Sequence, residues 1–279
     1  MLLPVLFVLI WTTGFLTARF VTPHADPLTF LAIRMGCSAV AFAVLATLTG
    51  APWPRTWRAW RNAAITGVLM QAVYLGGVFW AVRHGLPAGI AALITGLQPL
   101  LTAALAFPLL GERVTRRRWA GILLGFGGAL LVLEPQLQGA PLLIPALVCG
   151  LSMIAITAGT LWQKSTGAGD LRTTAGIQFL AAAVLMIPAA ILTEPGRFDG
   201  SWQVWAALAW AVLGLSVGAT WLLLTLIRQG AVAGVTSLFY LVPPVAALAA
   251  WGLFGDTLVP LQVAGMGVAA AGVGIAARG

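Results

Sequence analysis

Long apolar segments separated by short polar connections run along this whole chain. Each segment is close to the roughly 20 residues that an α-helix needs to cross a bilayer. The first segment has no basic residues before it and no small-residue cleavage site, which favours a membrane span over a secretory signal peptide. The pattern predicts ten membrane helices, over residues 2–20, 27–49, 62–82, 87–110, 118–134, 141–163, 172–193, 203–228, 231–254 and 260–277.

The composition agrees with this pattern, because 60% of the residues are hydrophobic and only 8% are charged. A soluble domain carries about 25% charged residues, so the sequence predicts an all-α integral membrane protein. The net charge of +8 raises the question of a nucleic-acid partner. The basic residues, however, are spread over short loops and form no continuous face. We therefore expect membrane lipid, and no nucleic acid, around this protein.

The distribution of basic residues predicts the orientation of the chain in the membrane. If the N-terminus is cytoplasmic, eleven of the 15 basic residues fall in inner loops. Only Arg19, Arg83 and Arg197 then fall outside, and Arg34 lies within a span. Cytoplasmic loops carry an excess of Lys and Arg, so both termini are predicted to be cytoplasmic.

Two stretches of the chain are repeated at a nearly constant offset. The segment AGIAALITGLQP from Ala88 aligns with AGVTSLFYLVPP from Ala233. Gly111-Glu112 aligns with Gly255-Asp256, and Asp26 aligns with Asp170. The repeat predicts two related five-helix halves, residues 1–138 and 139–279. With an odd number of spans in each half the second copy is inverted, and a substrate binds between the copies.

Several of these segments resemble the EamA repeat of the drug/metabolite transporter superfamily. They are WTTGFLTARF at Trp11–Phe20, DPLTFLAIRMG at Asp26–Gly36, LLGERV at Leu109–Val114 and the following GILLGFGGALLVL. In the second copy Gln178 replaces Arg34, and Gly-Asp-Thr replaces Gly-Glu-Arg. The resemblance implies ten helices, alternating access and a central cavity enclosed by spans 1, 3, 4, 6, 8 and 9. Within the family the chain is most similar to bacterial exporters of aromatic and neutral amino acids.

Polar and aromatic side chains at the predicted depth of the bilayer are candidates for binding a small-molecule substrate. Polar side chains there usually face the interior of the bundle, and aromatic rings stack on amphipathic molecules. The alternative for each residue is packing or hydrogen bonding between helices. The candidate substrate-binding residues are Trp11, Phe15, Gln71, Tyr74, Gln98, Trp221 and Tyr240.

Prolines and glycines in the spans predict irregular helices and close helix packing. Pro99, Pro243 and Pro244 lie near mid-membrane, where they act either as hinges beside the substrate path or as static kinks. Glycine-rich faces in spans 5 and 10 predict close packing, including a homodimer through these spans. For Arg34, pairing within the protein or reaching toward the surface is favoured over direct binding of a carboxylate.

The remaining motifs narrow the function to gradient-driven transport. There is no GxxxxGK[ST] loop for ATP, no HExxH motif and no histidine in a span beside Ser152. We therefore expect no enzyme activity, metal site or cofactor. No carboxylate lies at mid-membrane, where proton-coupled pumps commonly use one, so a facilitator or exchanger is predicted.

The sequence thus predicts a secondary transporter of the bacterial inner membrane. It is expected to move small amphipathic metabolites outward by alternating access, with aromatic and neutral amino acids as the first choice of cargo. The alternative is a multidrug or lipid-linked-sugar transporter of the same superfamily.

Overall fold

Helices form almost all of the computed structural model, which describes residues 2–21, 23–86, 88–134, 143–167, 169–230, 232–254 and 258–278. An isolated antiparallel bridge joins Ala25 to Phe198. The helices of the first half are α1 (Leu2–Val21), α2 (Pro27–Leu48), α3 (Trp57–Arg83), α4 (Ala88–Thr95 and Gln98–Leu110) and α5 (Arg116–Leu133). Those of the second half are α6 (Leu143–Thr166), α7 (Leu171–Thr193), α8 (Trp202–Gln229), α9 (Val232–Thr236, Ser237–Leu241 and Val242–Phe254) and α10 (Pro260–Arg278).

Within the described residues, eight helices are long and apolar enough to cross a membrane, namely α2, α3, α4 and α6 to α10. The apolar part of α5 is shorter because this helix begins with three arginines. Large apolar side chains lie fully on the outer surface, including Leu48 at 81% and Leu192 at 83% exposure. A surface of this kind is stable only against lipid. The predicted all-α membrane class is therefore confirmed.

The two halves of the chain are interleaved. Helix α5 packs along α10, and α2 packs along α7. Helix α1 contacts α8 and α9, while α6 contacts α3 and α4. Helix α2 also contacts α8, α7 contacts α3, and α4 contacts the first part of α9. Most of the buried surface therefore lies between the halves rather than within either one.

Glycines allow α5 and α10 to touch backbone to backbone. A Cβ added to Gly128 would lie 2.2 Å from the Ala269 nitrogen, and one added to Gly272 would lie 2.2 Å from the Gly125 nitrogen. Such contacts suit a membrane, where helices associate through close packing rather than through the hydrophobic effect. These glycines therefore already pack against another helix of the same chain. The predicted homodimer remains a prediction, and it would need the outward faces of α5 and α10.

Charged residues join helix ends through hydrogen bonds and ion pairs at one face of the bundle. The buried carboxylate of Glu194, just after α7, accepts the backbone N–H groups of Leu28 (3.0 Å) and Thr29 (2.7 Å). It thereby caps the positive N-terminus of α2, where the N-cap residue Asp26 makes no side-chain capping bond. Asp26 instead accepts the Arg197 backbone N–H (2.8 Å), and Arg83 reaches both carboxylates at 3.1 Å. This network joins α2, α3 and α7.

The same hydrogen bonds set the ionisation of Asp26. Partial burial acts to raise the pKa of this carboxyl, but hydrogen bonds from the Arg197 backbone and the Arg83 side chain outweigh it. The pKa of Asp26 therefore lies below its ordinary value. A carboxylate with a depressed pKa stabilises the folded state above its unfolded pKa, and this stability is lost as the pH falls through the folded pKa.

The glycine contact between α5 and α10 yields a stability prediction. We expect Gly272→Ala to lower the free energy of unfolding by about 1–3 kcal/mol, because overpacking forces the two backbones apart. The matched control is Gly274→Ala in the same helix, where an added Cβ meets nothing within 4 Å. The measurement is the thermal unfolding midpoint of each purified variant in one detergent. Equal midpoints for the two variants would contradict this packing.

Candidate transport site

Four helices become irregular in their middle sections. Helix α3 has a π-helical segment at Val68–Val73, and α8 has one at Ala211–Ala219. Helix α4 is interrupted at Gly96 and Leu97, and α9 tightens to a 3₁₀ helix at Ser237–Leu241. In a bilayer, irregular backbone is tolerated only inside protein or beside a water-filled cavity. The four segments therefore mark the region where a polar path through the bundle costs the least free energy.

Prolines explain the two irregular helices that carry them. Pro99 is the second residue of its helical piece, and it has no N–H to bond backward while its ring clashes with the preceding turn. The chain instead closes a tighter turn, in which the Leu97 N–H donates to Ile94 at 3.1 Å. In α9 the 3₁₀ segment lies directly before Pro243 and Pro244. The three prolines thus coincide with irregular backbone, and their role as hinges remains a prediction.

An aromatic cluster joins α1 to α9. The ring centroid of Trp11 lies 5.3 Å from that of Phe7 and 5.3 Å from that of Phe239, and the latter two are 5.5 Å apart. Phe239 meets both other rings edge to face, a geometry that is favourable for aromatic rings, and Phe7 and Trp11 are tilted by 47°. Sequence reasoning selected Trp11 but missed Phe7 and Phe239. The side chain of Phe15 lies outside the described part of the chain.

Three buried polar side chains in α4 and α9 have an atom without a hydrogen-bond partner among the described residues. They are the Gln98 amide nitrogen, the Thr102 hydroxyl and the Tyr240 hydroxyl, on residues that are 3%, 0% and 1% exposed. A buried polar group without a partner costs free energy, so such groups are rare unless a ligand or water binds there.

Gln98 and Thr102 lie one helical turn apart and share a face of α4. Ala106, the next residue on that face, packs with Leu161 of α6 and Val232 of α9. The unpartnered groups of α4 therefore face the second half of the chain. Thr102 was not predicted, although its spacing of four residues from Gln98 was a usable signal.

Tyr240 packs its ring against α5. A Cβ on Gly125 would lie only 2.8 Å from the Tyr240 ring, and the Phe126 ring centroid is 6.0 Å from that of Tyr240. Tyr240 and Phe7 belong to one buried cluster, with Trp11 packed at its edge. That cluster includes residues from α1, α3, α4, α5, α8, α9 and α10.

The other predicted site residues are not members of this hydrophobic cluster, although Met70, the residue before Gln71, is one. Gln71 is buried within the π-helical segment of α3, and Tyr74 follows that segment and is half-buried. Trp221 is 45% exposed on α8 and belongs to none of the described buried clusters. The structure thus brings Trp11 and Tyr240 together, places Gln98 on the adjoining helix, and leaves Trp221 at a surface.

Lys164 and Glu112, called the polar latch below, make polar contacts at the end of the bundle where α4, α6, α8 and α9 meet. The Lys164 ammonium donates to the carbonyls of Ile227 (3.0 Å) and Gly230 (2.7 Å), at the negative C-terminus of α8. It also lies 3.7 Å from the Glu112 carboxylate. Glu112 in turn accepts the Val232 N–H at 2.9 Å and caps the N-terminus of α9. One ion pair thus holds four helices together.

Arg34 is paired within the protein. Its Nε donates to the Ser216 hydroxyl at 3.0 Å, which links α2 to the π-helical segment of α8. Ser216 is itself completely buried. A guanidinium held in this way positions the irregular part of α8, as the pairing interpretation of Arg34 expects.

The model of the EamA-like transporter family matches residues 1–134 and again residues 143–278. The chain belongs to this family. The inner membrane transporter YedA of Escherichia coli is 29% identical over 93% of this chain and 84% of its own length. The family match, the similarity to an inner membrane transporter and the eight long apolar helices all indicate the same location. The chain is a multi-pass protein of the bacterial inner membrane, as predicted.

Two further relatives and one solved structure extend the comparison. Protein PecM of Dickeya dadantii is 31% identical over 67% of this chain and 61% of its own. A probable amino-acid metabolite efflux pump of Salmonella typhimurium is 30% identical over 49% of this chain and 44% of its own. A crystal structure superimposes with a TM-score of 0.85 at 21% identity, over 99% of this chain and 96% of the other. It supports the fold alone.

The unpartnered polar groups yield a second prediction. We expect Gln98→Leu and Tyr240→Phe to leave the unfolding midpoint unchanged or to raise it, because each removes a polar atom that is buried without a partner. The control is Gln262→Leu, since the Gln262 amide accepts from Val259 and donates to Val132, both at 3.1 Å. That variant should lose about 1–3 kcal/mol of stability. A loss of the same size in the first two variants would show that their polar atoms are already satisfied.

Proposed function

We propose that this protein is a secondary transporter that works by alternating access between two inverted five-helix copies, residues 1–138 and 139–279. Ten spans place both termini in the cytoplasm. The substrate binds between the copies, beside the irregular parts of α3, α4, α8 and α9. The observation that carries the proposal is the recurrence of irregular backbone in both copies, since transporters bind cargo where repeats meet and helices are broken.

The helix contacts support the repeat. If α1 to α5 correspond in order to α6 to α10, the contact of α1 with α8 corresponds to that of α6 with α3. In the same way α1 with α9 corresponds to α6 with α4, and α2 with α8 corresponds to α7 with α3. Counted from the first residue of each helix, the π-helical segments of α3 and α8 overlap. A two-fold axis in the membrane plane produces this pattern.

The chemistry around α4 and α9 favours an amphipathic cargo. The aromatic cluster of Phe7, Trp11 and Phe239 offers ring edges and faces, while Gln98 and Tyr240 offer unpartnered polar atoms. An aromatic or neutral amino acid matches both, because it joins an apolar side chain to a polar head group. The relative from Salmonella typhimurium named as a probable amino-acid metabolite efflux pump supports amino acids, and export, as the first choice.

The positions of the acidic residues favour a facilitator or exchanger over a proton pump. Among the described residues, Asp26, Glu112, Glu134, Asp170, Glu194 and Asp199 all lie at or beyond helix ends. Proton-coupled transporters usually carry the proton on a carboxylate within the membrane. Without one, the gradient of the cargo itself drives the transport. The protein is then a transporter and has no enzymatic step.

In the proposed mechanism, the polar latch of Lys164 and Glu112 is the contact that forms and breaks as one side of the bundle closes and opens. Lys164 and Glu112 hold the ends of α4, α6, α8 and α9 together, so this side of the bundle is closed while the latch is formed. Opening that side requires the lysine to leave the carbonyls of α8 and the carboxylate to leave the N-terminus of α9. Because the Lys164 ammonium and the Glu112 carboxylate lie at helix ends, water can hydrate both when the latch breaks. The free energy of opening is therefore moderate.

Counterflow in proteoliposomes tests the proposal. Liposomes loaded with unlabelled phenylalanine or threonine should take up the labelled amino acid saturably, at a rate that does not depend on a pH gradient. Gln98→Leu and Tyr240→Phe should lower this exchange at least tenfold, because a hydrogen bond to a charged head group is worth about 1.5–3 kcal/mol. The control is Gln229→Leu, a matched change at an exposed position at the end of α8.

Each result separates the candidate cargoes and mechanisms. No exchange of either amino acid by folded protein would remove the amino-acid assignment and favour drugs or lipid-linked sugars. Exchange that follows the pH gradient would contradict the facilitator or exchanger mechanism. Normal exchange by both folded variants would remove Gln98 and Tyr240 from the site.

A further inference from the structure

A polar cavity of about 340 Å³ lies between α3, α6 and α7, away from the candidate transport site. Its lining residues come from the start of α3, the end of α6 and the start of α7. None comes from α1, α4, α8 or α9, and none is acidic. The polar side chains around it include Arg58, Asn62, Gln163, Ser165, Thr166 and Thr174.

Gln163 is the best evidence that the cavity is built to hold a ligand. The residue is 2% exposed, and its Oε1 accepts from Gln178 Nε2 at 3.1 Å. Its own Nε2, a donor, has no partner among the described residues. Oδ1 of Asn62 also has none, but it is an acceptor and can pair only with a protonated oxygen of a ligand. Arg58 also makes no ion pair within the described part of the chain. A buried donor and a cation are thus both available at one cavity.

At several equivalent positions the other half of the chain has larger or apolar side chains. Ala59 and Ala63 are the third and seventh residues of α3, and in α8 these positions hold Val204 and Leu208. Thr174 is the fourth residue of α7, where α2 has Phe30. The apolar residues that replace the lining are packed in one buried cluster, namely Val21, Phe30, Val204 and Leu208, with Ala207 at its edge.

At the compared positions the lining of the cavity is smaller or more polar than the corresponding side chains of the other half. Voids and unpartnered polar atoms both lower stability, so their coincidence at this cavity calls for a compensating role. Occupation by a polar ligand supplies that compensation.

We propose that this cavity binds a phosphate group. Arg58 supplies positive charge, and the Gln163 amide and the hydroxyls of Thr56 and Thr174 supply hydrogen-bond donors. The Ser165 and Thr166 hydroxyls already donate to the Trp162 carbonyl. The N-terminus of α3, where Thr56 caps the Ala59 N–H at 3.3 Å, adds its partial positive charge. The negative charge of the Asp170 carboxylate is balanced by Arg172, which holds it through two contacts of 2.9 and 2.6 Å. Those bonds also keep the pKa of Asp170 below its ordinary value.

The phosphate can come from a lipid headgroup or from solution. Trp53 and Trp57 are exposed beside this end of α3, and Trp53 stacks on Trp60 at 5.8 Å. Tryptophans gather where a protein meets the headgroup region, so the cavity opens at the depth of lipid phosphates. Basic pockets between helices at this level bind anionic headgroups.

Binding measurements on the delipidated, purified protein test the proposal with two probes. One is dioleoylphosphatidylglycerol, counted per protein by native mass spectrometry in neutral detergent. The other is inorganic phosphate, measured by calorimetric titration against chloride at equal ionic strength. We expect saturable binding of at least one probe. Binding of the lipid alone identifies a headgroup site, and binding of inorganic phosphate identifies a site for a soluble phosphate.

Two kinds of variant locate the binding. Arg58→Gln removes the cation and should weaken binding about tenfold or more, since a hydrogen bond to a charged group is lost. The double variant Ala59→Val/Ala63→Leu copies the other half of the chain into this cavity and should abolish binding. Arg61→Gln is the matched control, because Arg61 lies on the same exposed helix start and does not line the cavity.

The outcomes decide the proposal without reference to transport. Size-exclusion chromatography and circular dichroism show whether the double variant is folded, and Arg58→Gln gives the answer if it is not. Binding that is lost in these variants and kept in Arg61→Gln supports the site. Absence of binding by both probes overturns it, and so does binding that Arg58→Gln leaves unchanged.

Discussion

The need to satisfy every backbone polar group without water governs this structure. In a bilayer an α-helix meets that need within each segment, which is why the described chain is helical throughout its apolar parts. Departures from the α-helix are then expensive. They occur in the middle of α3, α4, α8 and α9. These four helices belong to the set that the EamA resemblance assigns to the cavity, so the cost of irregular backbone falls where a polar path is needed.

Charged residues follow the same constraint at the ends of the helices. Glu194 ends α7 but caps α2, and Glu112 follows α4 but caps α9. Lys164 donates to the last carbonyls of α8, at the negative C-terminus of that helix. Each charge satisfies a helix that is distant in sequence, and helix dipoles make these contacts favourable. The bundle is therefore held by polar contacts at its rims, while its middle is held by close packing such as that of α5 on α10.

The two halves of the chain make corresponding helix contacts and differ in their side chains. The fifteenth residue is Gln71 in α3 and Ser216 in α8, and Ser216 receives a hydrogen bond from Arg34. The polar cavity between α3, α6 and α7 and the apolar cluster of Val21, Phe30, Val204 and Leu208 belong to corresponding helices and lie at opposite ends of the bundle. Similar helix contacts thus coexist with different side chains at the two ends of the bundle.

The sequence by itself determined the class of protein and the family, and it predicted the approximate helix positions and the repeat. All of these depend on quantities that are local or that recur along the chain: hydropathy summed over about 20 residues, and motifs at a constant offset. Kinks at Pro99, Pro243 and Pro244 could also be predicted, because proline lacks the N–H that a helix needs.

Only the tertiary structure decided which side chains meet. Gly121 and Gly128 of α5 face α10 of the same chain, Phe239 packs with Trp11 in the described aromatic cluster, and Trp221 is exposed at a surface. Hydropathy makes every face of a membrane helix look similar, because lipid and protein interior are both apolar. Which face is buried depends on helices that are far away in sequence, and so does the lack of a partner for Gln98 and Tyr240.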